Sequence, residues 1–357
     1  MCRRLVWVLS IGGLVGGLVA GSSQSEAGPV PRGAFVAKPA ELLVAARAEP
    51  GSAILRQDDR IELDASGALV WTRHRIISLA SEETRDAWQT LSLGWHPALE
   101  EVPQLRARII TPQGTVEKVD AAKLDEAAET TKDGQVSDSR VGSARLPAME
   151  VGSVVEYELI SRDFPFASKL GITKLIAVGH QLPVLASHIH ISAPTALGLQ
   201  IRLRGNAVDA KPRIGGGALM TWDLELGRVA PLVQEGLRTP DDELVPYVGV
   251  ATGRSWEAVG KAVREQVEER LAAGPVPLPR EGRSGTGEDR LTRLTAWLHR
   301  TVRNTGIEAH QAAPLPAPPA QTVQRGRGSA LDKAALLIAL LRQMESTPNS
   351  GQCNHGL

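Results

Sequence analysis

Short segments rich in Val, Ile, Leu and Thr, separated by turn residues, recur between residues 54 and 226. Ile54 to Leu63 and Ala68 to Leu79 flank Asp64-Ala-Ser-Gly67, which predicts a hairpin. Leu105 to Ile110 and Thr115 to Val119 flank Thr111-Pro-Gln-Gly114 in the same way. Further strands are predicted at residues 153–161, 186–192, 199–203 and 219–226, with Gly215 to Gly217 as a hairpin connection. This spacing is typical of an antiparallel β-sandwich or a large twisted sheet, here over residues 53–230.

A change of composition follows these strands. Residues 231–254 are rich in Pro, Gly and Asp and are interpreted as a linker. Helices are then predicted from Ser255, as N-cap, to about Leu271 and from Glu288 to Arg303, with no strand after the boundary. The sequence therefore predicts an α+β protein, with a β-rich first domain and a helical second region.

The first residues have the pattern of an export signal. A short basic start, Met1-Cys-Arg-Arg, precedes a glycine-broken apolar run from Leu5 to Ala20, and Ser25-Glu-Ala27 is the best cleavage site. The run is short for a membrane anchor. We therefore expect a signal peptide at residues 1–27, a linker with one short helix at residues 28–52, and an exported protein with no stable membrane span after cleavage.

Charge and cysteine content narrow the possible functions. The 357 residues have a formal net charge of +0 and a pI near 7.1, which gives no basic region for nucleic acid or anionic membranes. The two cysteines are Cys2 and Cys353, and Cys2 is lost with the signal. The mature chain is thus expected to have one thiol and no internal disulfide.

The stretch from Arg325 to Arg342 predicts a glycine-hinged loop that leads into a buried helix. Ser329 is a suitable N-cap, and Asp332 three residues later completes a weak capping box. Residues 334–341 are apolar on every side, which predicts burial all round the helix. A loop of this kind at a helix N-terminus often carries a nucleophile, because the helix dipole lowers the pKa of a thiol there.

These residues resemble the nucleophile helix of transglutaminase-like proteins. Gly328-Ser329-Ala330-Leu331-Asp332-Lys333 follows the family order of glycine, small polar residue, cysteine, variable residue, aspartate and lysine, except that Ala330 stands at the cysteine position. The upstream stretch from Trp297 to Glu308 and the β-rich segment also resemble such proteins, so the likeness extends over residues 50–344. The resemblance implies the helical half of a transglutaminase-like (papain-like) domain at residues 255–344, without its sheet.

In that family a cysteine attacks an amide carbonyl, and a histidine and an aspartate assist it. Ala330 has no nucleophile, so no catalytic residue is predicted; Asp332 and Lys333 remain as motif residues. Two substitutes are conceivable. Ser329 is adjacent, but its cap role explains it, and Cys353 with His355 lies in a polar tail that is more simply a loose end. Similarity stops at Met344, and residues 345–357 are interpreted as an unrelated tail that reflects premature termination or a shifted reading frame.

Other polar patterns are weaker. His188 and His190 lie on one face of a predicted strand, which is half of a metal site at most, and a solvent-facing strand explains both. The acidic runs at residues 58–59, 82–83 and 241–243 are expected to be solvated, and Arg325 and Arg327 to serve solubility. No metal or other cofactor is predicted.

The functional hypothesis is an exported, non-catalytic binding or structural module that acts through its β-domain on a protein or cell-envelope partner, without nucleic acid. The alternative is an acyl-transfer enzyme, of the transglutaminase or cysteine peptidase or amidase type, present here in a shortened form.

Overall fold

The computed structural model describes a set of ranges between residues 33 and 346: 33–97, 99–119, 125–130, 136–147, 149–164, 171–204, 213–215, 217–232, 246–252, 255–274, 276–283, 285, 287–305 and 315–346. The predicted signal peptide, Cys2, Cys353, His355 and the acidic run at residues 241–243 lie outside these ranges.

The fold is mixed α/β, and strands dominate it. The strands are β1 Ala53–Leu63, β2 Leu69–Ser78, β3 Thr90–Trp95, β4 Gln104–Ile110, β5 Val116–Val119, β6 Asp125–Thr130, β7 Val136–Arg145, β8 Val154–Asp163, β9 Thr173–Ala177, β10 Ser187–Pro194, β11 Leu199–Arg204, β12 Arg213–Gly215, β13 Leu219–Leu226, β14 Tyr247–Thr252, β15 Arg303–Asn304 and β16 Arg327–Gly328. The helices are α1 Pro39–Ala48, α2 Glu82–Ala87, α3 Trp256–Ala272, α4 Gly287–Thr301, α5 Pro319–Arg325 and α6 Ala330–Ser346.

Contacts divide the chain into two compact units. Of the described residues, the β unit contains those up to Ser255 apart from residues 128–140, and the helical unit contains those from Trp256 onward together with residues 128–140.

An eight-stranded sheet forms the centre of the β unit, in the order β12-β13-β10-β1-β2-β8-β4-β5. The predicted hairpins β1–β2 and β4–β5 are present and antiparallel. The hairpin predicted around Gly215 to Gly217 joins β13 to a short strand, β12, that was not predicted, whereas the predicted strand at residues 199–203, β11, pairs with β14. The expectation of a purely antiparallel sheet is wrong at one place, because β1 and β10 pair in parallel. These two strands are far apart in sequence, and the long connection between them permits a parallel pair.

Two smaller sheets, β11-β14-β9 and β3-β7-β6, accompany the central sheet. One apolar cluster joins residues of β1, β2, β4 and β8 to Leu91, Leu93 and Trp95 of β3. A second joins residues of β1, β2, β10 and β13 to Ile176, Val248 and Val250 of β9 and β14. One face of the central sheet is therefore buried under both small sheets.

Both segments that were interpreted as linkers contain regular structure: residues 231–254 include β14, which pairs with β9 and β11, and residues 28–52 include a packed helix. Leu42 and Leu43 of α1 are buried in a cluster with Leu55, Ile76 and Val154 of the central sheet. Because these side chains are part of a core, residues 39–48 belong to the folded β unit and do not form a free connection.

The helical unit differs from its prediction in three respects. It contains two-residue strands, β15 and β16, that pair in parallel, and an additional helix, α5. Helix α6 is also not buried all round: Leu336 and Leu340 are fully buried, whereas Ile338 is 40% exposed. An apolar sequence does not by itself specify how many faces of a helix are covered by neighbours. None of the helices in the described ranges combines the length and apolarity needed to cross a lipid bilayer.

Candidate functional site

The amino end of α6 has the geometry that its sequence predicts. The backbone N–H of Asp332 donates to Ser329 Oγ at 3.2 Å, and the backbone N–H of Ser329 donates to Asp332 Oδ2 at 2.9 Å. This reciprocal pair is a capping box. The other carboxylate oxygen of Asp332 accepts from the backbone N–H of Ala317 at 2.7 Å. Asp332 therefore links the proline-rich approach segment to the start of the helix.

Only glycine fits at position 328, because neighbouring side chains leave no room for a Cβ atom. A Cβ atom on Gly328 would lie 2.9 Å from Cβ of Asp332 and 3.2 Å from Cγ2 of Thr322. Contacts as short as the first are not found for real Cβ atoms, so a larger residue would displace the capping carboxylate. The glycine, serine and aspartate of the motif thus each have a structural role.

Ala330 is the first residue of α6 and is exposed. On the same helix, Lys333 Nζ lies 3.0 Å from Nδ1 of His299 on α4. The described ranges contain no cysteine. The side chain at the amino end of α6 is therefore a methyl group, which cannot act as a nucleophile.

The structure also bears on the possible substitute nucleophiles. Ser329 is 4% exposed and its hydroxyl accepts the capping hydrogen bond, which is the role that the sequence predicts for it. Cys353 and His355 fall outside the described residues. Arg325 and Arg327 are both exposed, as are Glu82 and Glu83, in line with the prediction that they are solvated.

The most strongly connected polar cluster lies elsewhere, on the face of the central sheet opposite the small sheets. His74 is buried, with Nε2 2.9 Å from Glu156 Oε1 and Nδ1 3.4 Å from Asp58 Oδ2. Arg108 Nε donates to Glu156 Oε2 at 2.6 Å, and Arg56 Nε donates to Asp58 Oδ1 at 2.7 Å. Five charged or titratable groups thus meet on adjacent strands.

This cluster changes the protonation of its members. Burial alone would lower the pKa of His74, but hydrogen bonds to Asp58 and Glu156 outweigh burial and raise that pKa above its ordinary value. Burial alone would raise the pKa of Glu156, yet hydrogen bonds from His74 and the backbone of Phe35, with the charge of Arg108, keep it below its ordinary value. Both shifts favour an imidazolium between two carboxylates.

A second polar cluster lies on the covered face and corrects the expectation that residues 58–59 are solvated. Asp59 is 1% exposed and accepts hydrogen bonds from Arg75 at 2.8 Å and from Trp71 Nε1 at 2.9 Å. Gln57 donates to the backbone oxygen of Ala177 at 2.8 Å, and Gln57 Oε1 lies 2.7 Å from His180 Nε2. Burial, with the charge of Arg75, lowers the pKa of His180 to about 3.

His188 and His190 lie on one face of β10, as the strand period predicts. Their common partner is Asp223 on β13, which sequence patterns do not indicate; its Oδ1 lies 3.2 Å from His188 Nε2 and 2.8 Å from His190 Nδ1. These hydrogen bonds lower the pKa of Asp223. Within the described ranges, no three His, Cys, Asp or Glu side chains are arranged to hold a metal ion.

Comparison with known proteins gives a domain and a fold. Residues 65–231 match a family described as "Domain of Unknown Function with solved-structure structure (DUF3857)". No curated protein matches the sequence. The chain is similar to the crystal structure of a "putative protease" from Parabacteroides distasonis, with a TM-score of 0.59 and 13% identity over 84% of this chain.

The chain spans 60% of the length of that structure, and identity at this level shows the fold alone. It is also similar to a "putative nutrient binding protein" from Legionella pneumophila, with 10% identity over 83% of this chain and 94% of the other. The TM-score of that match is 0.26, which does not indicate a shared fold.

Proposed function

We propose that the protein is an exported, non-catalytic relative of transglutaminase-like proteins and acts as a binding or structural module through its β unit. The observation that carries this proposal is the amino end of α6. Ala330 supplies no nucleophile, and the side chains of Ser329 and Asp332 are both engaged in capping.

The β unit is the better candidate for the part of the protein that binds a partner. Most of it matches a domain of unknown function, and it has partly exposed polar groups on its open sheet face, such as His190 and Asp223. We assign the partner to the class of exported proteins or cell-envelope components, because the proposed signal peptide directs the chain there and its zero net charge does not favour nucleic acid.

Activity assays test this proposal directly. The purified full chain is incubated with a glutamine-containing peptide and a fluorescent amine, and separately with peptide and amide substrates. We expect no transamidation or hydrolysis above a blank without protein. Turnover that the substitution Ser329→Ala abolishes would contradict the proposal and identify serine as the nucleophile.

The substitution Ala330→Cys examines the alternative, an acyl-transfer enzyme. Because residue 330 is exposed at the first helical position, the new thiol should react readily with iodoacetamide. We expect alkylation without turnover. Restored transamidation or hydrolysis would show that the remaining parts of an acyl-transfer site are present.

A further inference from the structure

The charged cluster around His74 and Glu156, on the face of the central sheet opposite the small sheets, also binds a segment of the chain itself. The backbone N–H of Phe35 donates to Glu156 Oε1 at 2.6 Å, and Arg108 donates to the backbone oxygen of Ala37 at 2.7 Å. The guanidinium carbons of Arg106 and Arg108 each lie 5.5 Å from the ring centroid of Phe35. We call Arg106, Arg108 and Glu156 the clamp.

The contacts of the clamp are those by which proteins recognise peptides. One N–H, one carbonyl oxygen and one aromatic ring of the segment are bound, and the first two are present in any peptide. A carboxylate and a guanidinium make strong, charge-assisted bonds to such groups, and two cations near the ring add a preference for an aromatic residue. Glu156 is fully buried, which fixes the position of the acceptor.

The segment is bound in a strained conformation. Phe35 has a φ of 62°, in the left-handed region that residues other than glycine seldom adopt. The hydrogen bond to Glu156 opposes this strain. When the segment leaves, Glu156 Oε1 loses the hydrogen bond from the backbone N–H of Phe35. An incoming peptide that supplies an N–H and an aromatic ring without this strain restores the same contacts.

We infer that the clamp is a peptide-binding site, filled in this state by the chain's own Phe35, and that it accepts an aromatic residue of a peptide from a partner protein when that segment is displaced. The inference rests on the proposed function, because it names the class of partner for the β unit. It does not depend on the absence of catalysis.

The test uses the full chain with Phe35→Ala, which empties the ring position. The probe is a labelled synthetic peptide with the sequence of residues 33–38, Gly-Ala-Phe-Val-Ala-Lys, and the control peptide has Ala in place of Phe. By fluorescence anisotropy we expect saturable binding of the Phe peptide, at least about tenfold tighter than the control peptide. The wild type should bind it at least about tenfold more weakly, because its own segment competes.

A matched pair of arginine substitutions locates the site. Arg106→Gln, added to Phe35→Ala, removes one cation from the ring position and should weaken binding several-fold. Arg60→Gln changes an exposed arginine on the same sheet face that pairs with Glu62 and should have no effect. If Phe35→Ala does not fold, Phe35→Leu is used with the same criteria.

Equal affinity for the two peptides, equal affinity of wild type and Phe35→Ala, or no effect of Arg106→Gln would each overturn the inference. None of these results would restore a nucleophile at residue 330, so they leave the proposed function standing. Transamidation or hydrolysis by the wild type, conversely, would overturn the proposed function without changing the binding results.

Discussion

At the scale of single residues, the pKa values of buried His74 and half-buried His180 are shifted in opposite directions. His74 lies between two carboxylates and its pKa is raised, so its protonated form stabilises the folded state. That contribution is present below the unfolded pKa, about 6.5, and is lost as the pH rises through the folded pKa. His180 is enclosed as the neutral form, so its contribution is present above pH 6.5 and declines as the pH falls.

We expect His74→Gln to lower the free energy of unfolding by about 1–3 kcal/mol at pH 6, since it breaks hydrogen bonds between charged groups. The deficit should shrink above the folded pKa of His74, where the wild type has lost the charge as well. Urea unfolding between about pH 6 and pH 9 measures this. His299→Gln, on the exposed side of α4, is the control. A deficit that stays constant with pH would show that His74 acts by packing and not by charge.

His180→Gln makes the opposite prediction. Between about pH 6 and pH 4 the free energy of unfolding of the wild type should fall by at most about 1.4 kcal/mol per pH unit through this one residue. In that range His180 is protonated in the unfolded chain and neutral in the folded chain. The variant should be less stable at pH 7 but should show a smaller slope over that range. If wild type and variant lose stability in parallel, the ring of His180 is accessible to protons in the folded state.

At the scale of elements, the strands and the start of α6 could be predicted because their signals are local. Alternating residues and turn residues placed β1, β2, β4 and β5, and the serine and aspartate of the capping box are three residues apart. The charged clusters could not be predicted, because His74 and Glu156 are 82 residues apart. From the sequence, Asp59 is indistinguishable from a solvated residue. Only the fold shows that Arg75 donates a hydrogen bond to it. Burial of a charge is decided by such distant partners.

The capping box gives the prediction for α6. Asp332→Ala should destabilise the first turn by about 1–2 kcal/mol, because Ser329 and Ala317 lose their common acceptor. Hydrogen exchange of the first backbone amides of α6 should accelerate accordingly. Leu331→Ala, at an exposed neighbouring position, should leave exchange nearly unchanged. Equal acceleration in both variants would mean that the cap contributes nothing specific.

At the scale of the whole molecule, the two compact units differ in how much apolar surface they bury. In the described residues, the β unit has three buried clusters, which include the fully buried Ile61, Ile77, Ile109 and Ile189. The helical unit has one cluster of six buried residues: Val276, Leu294, Leu298, Val302, Leu336 and Leu340. Small cores give marginal stability, so the units should differ strongly in their ability to fold alone.

We expect a fragment of residues 33–255 to fold alone and to unfold cooperatively, because its clusters are formed by its own strands. A fragment of residues 256–346 should be marginal, since its apolar cluster is small. Circular dichroism and thermal unfolding of the two fragments, compared with the full chain, measure this. A cooperative transition in the helical fragment and none in the β fragment would reverse the assignment of the β unit as the stable part of the protein.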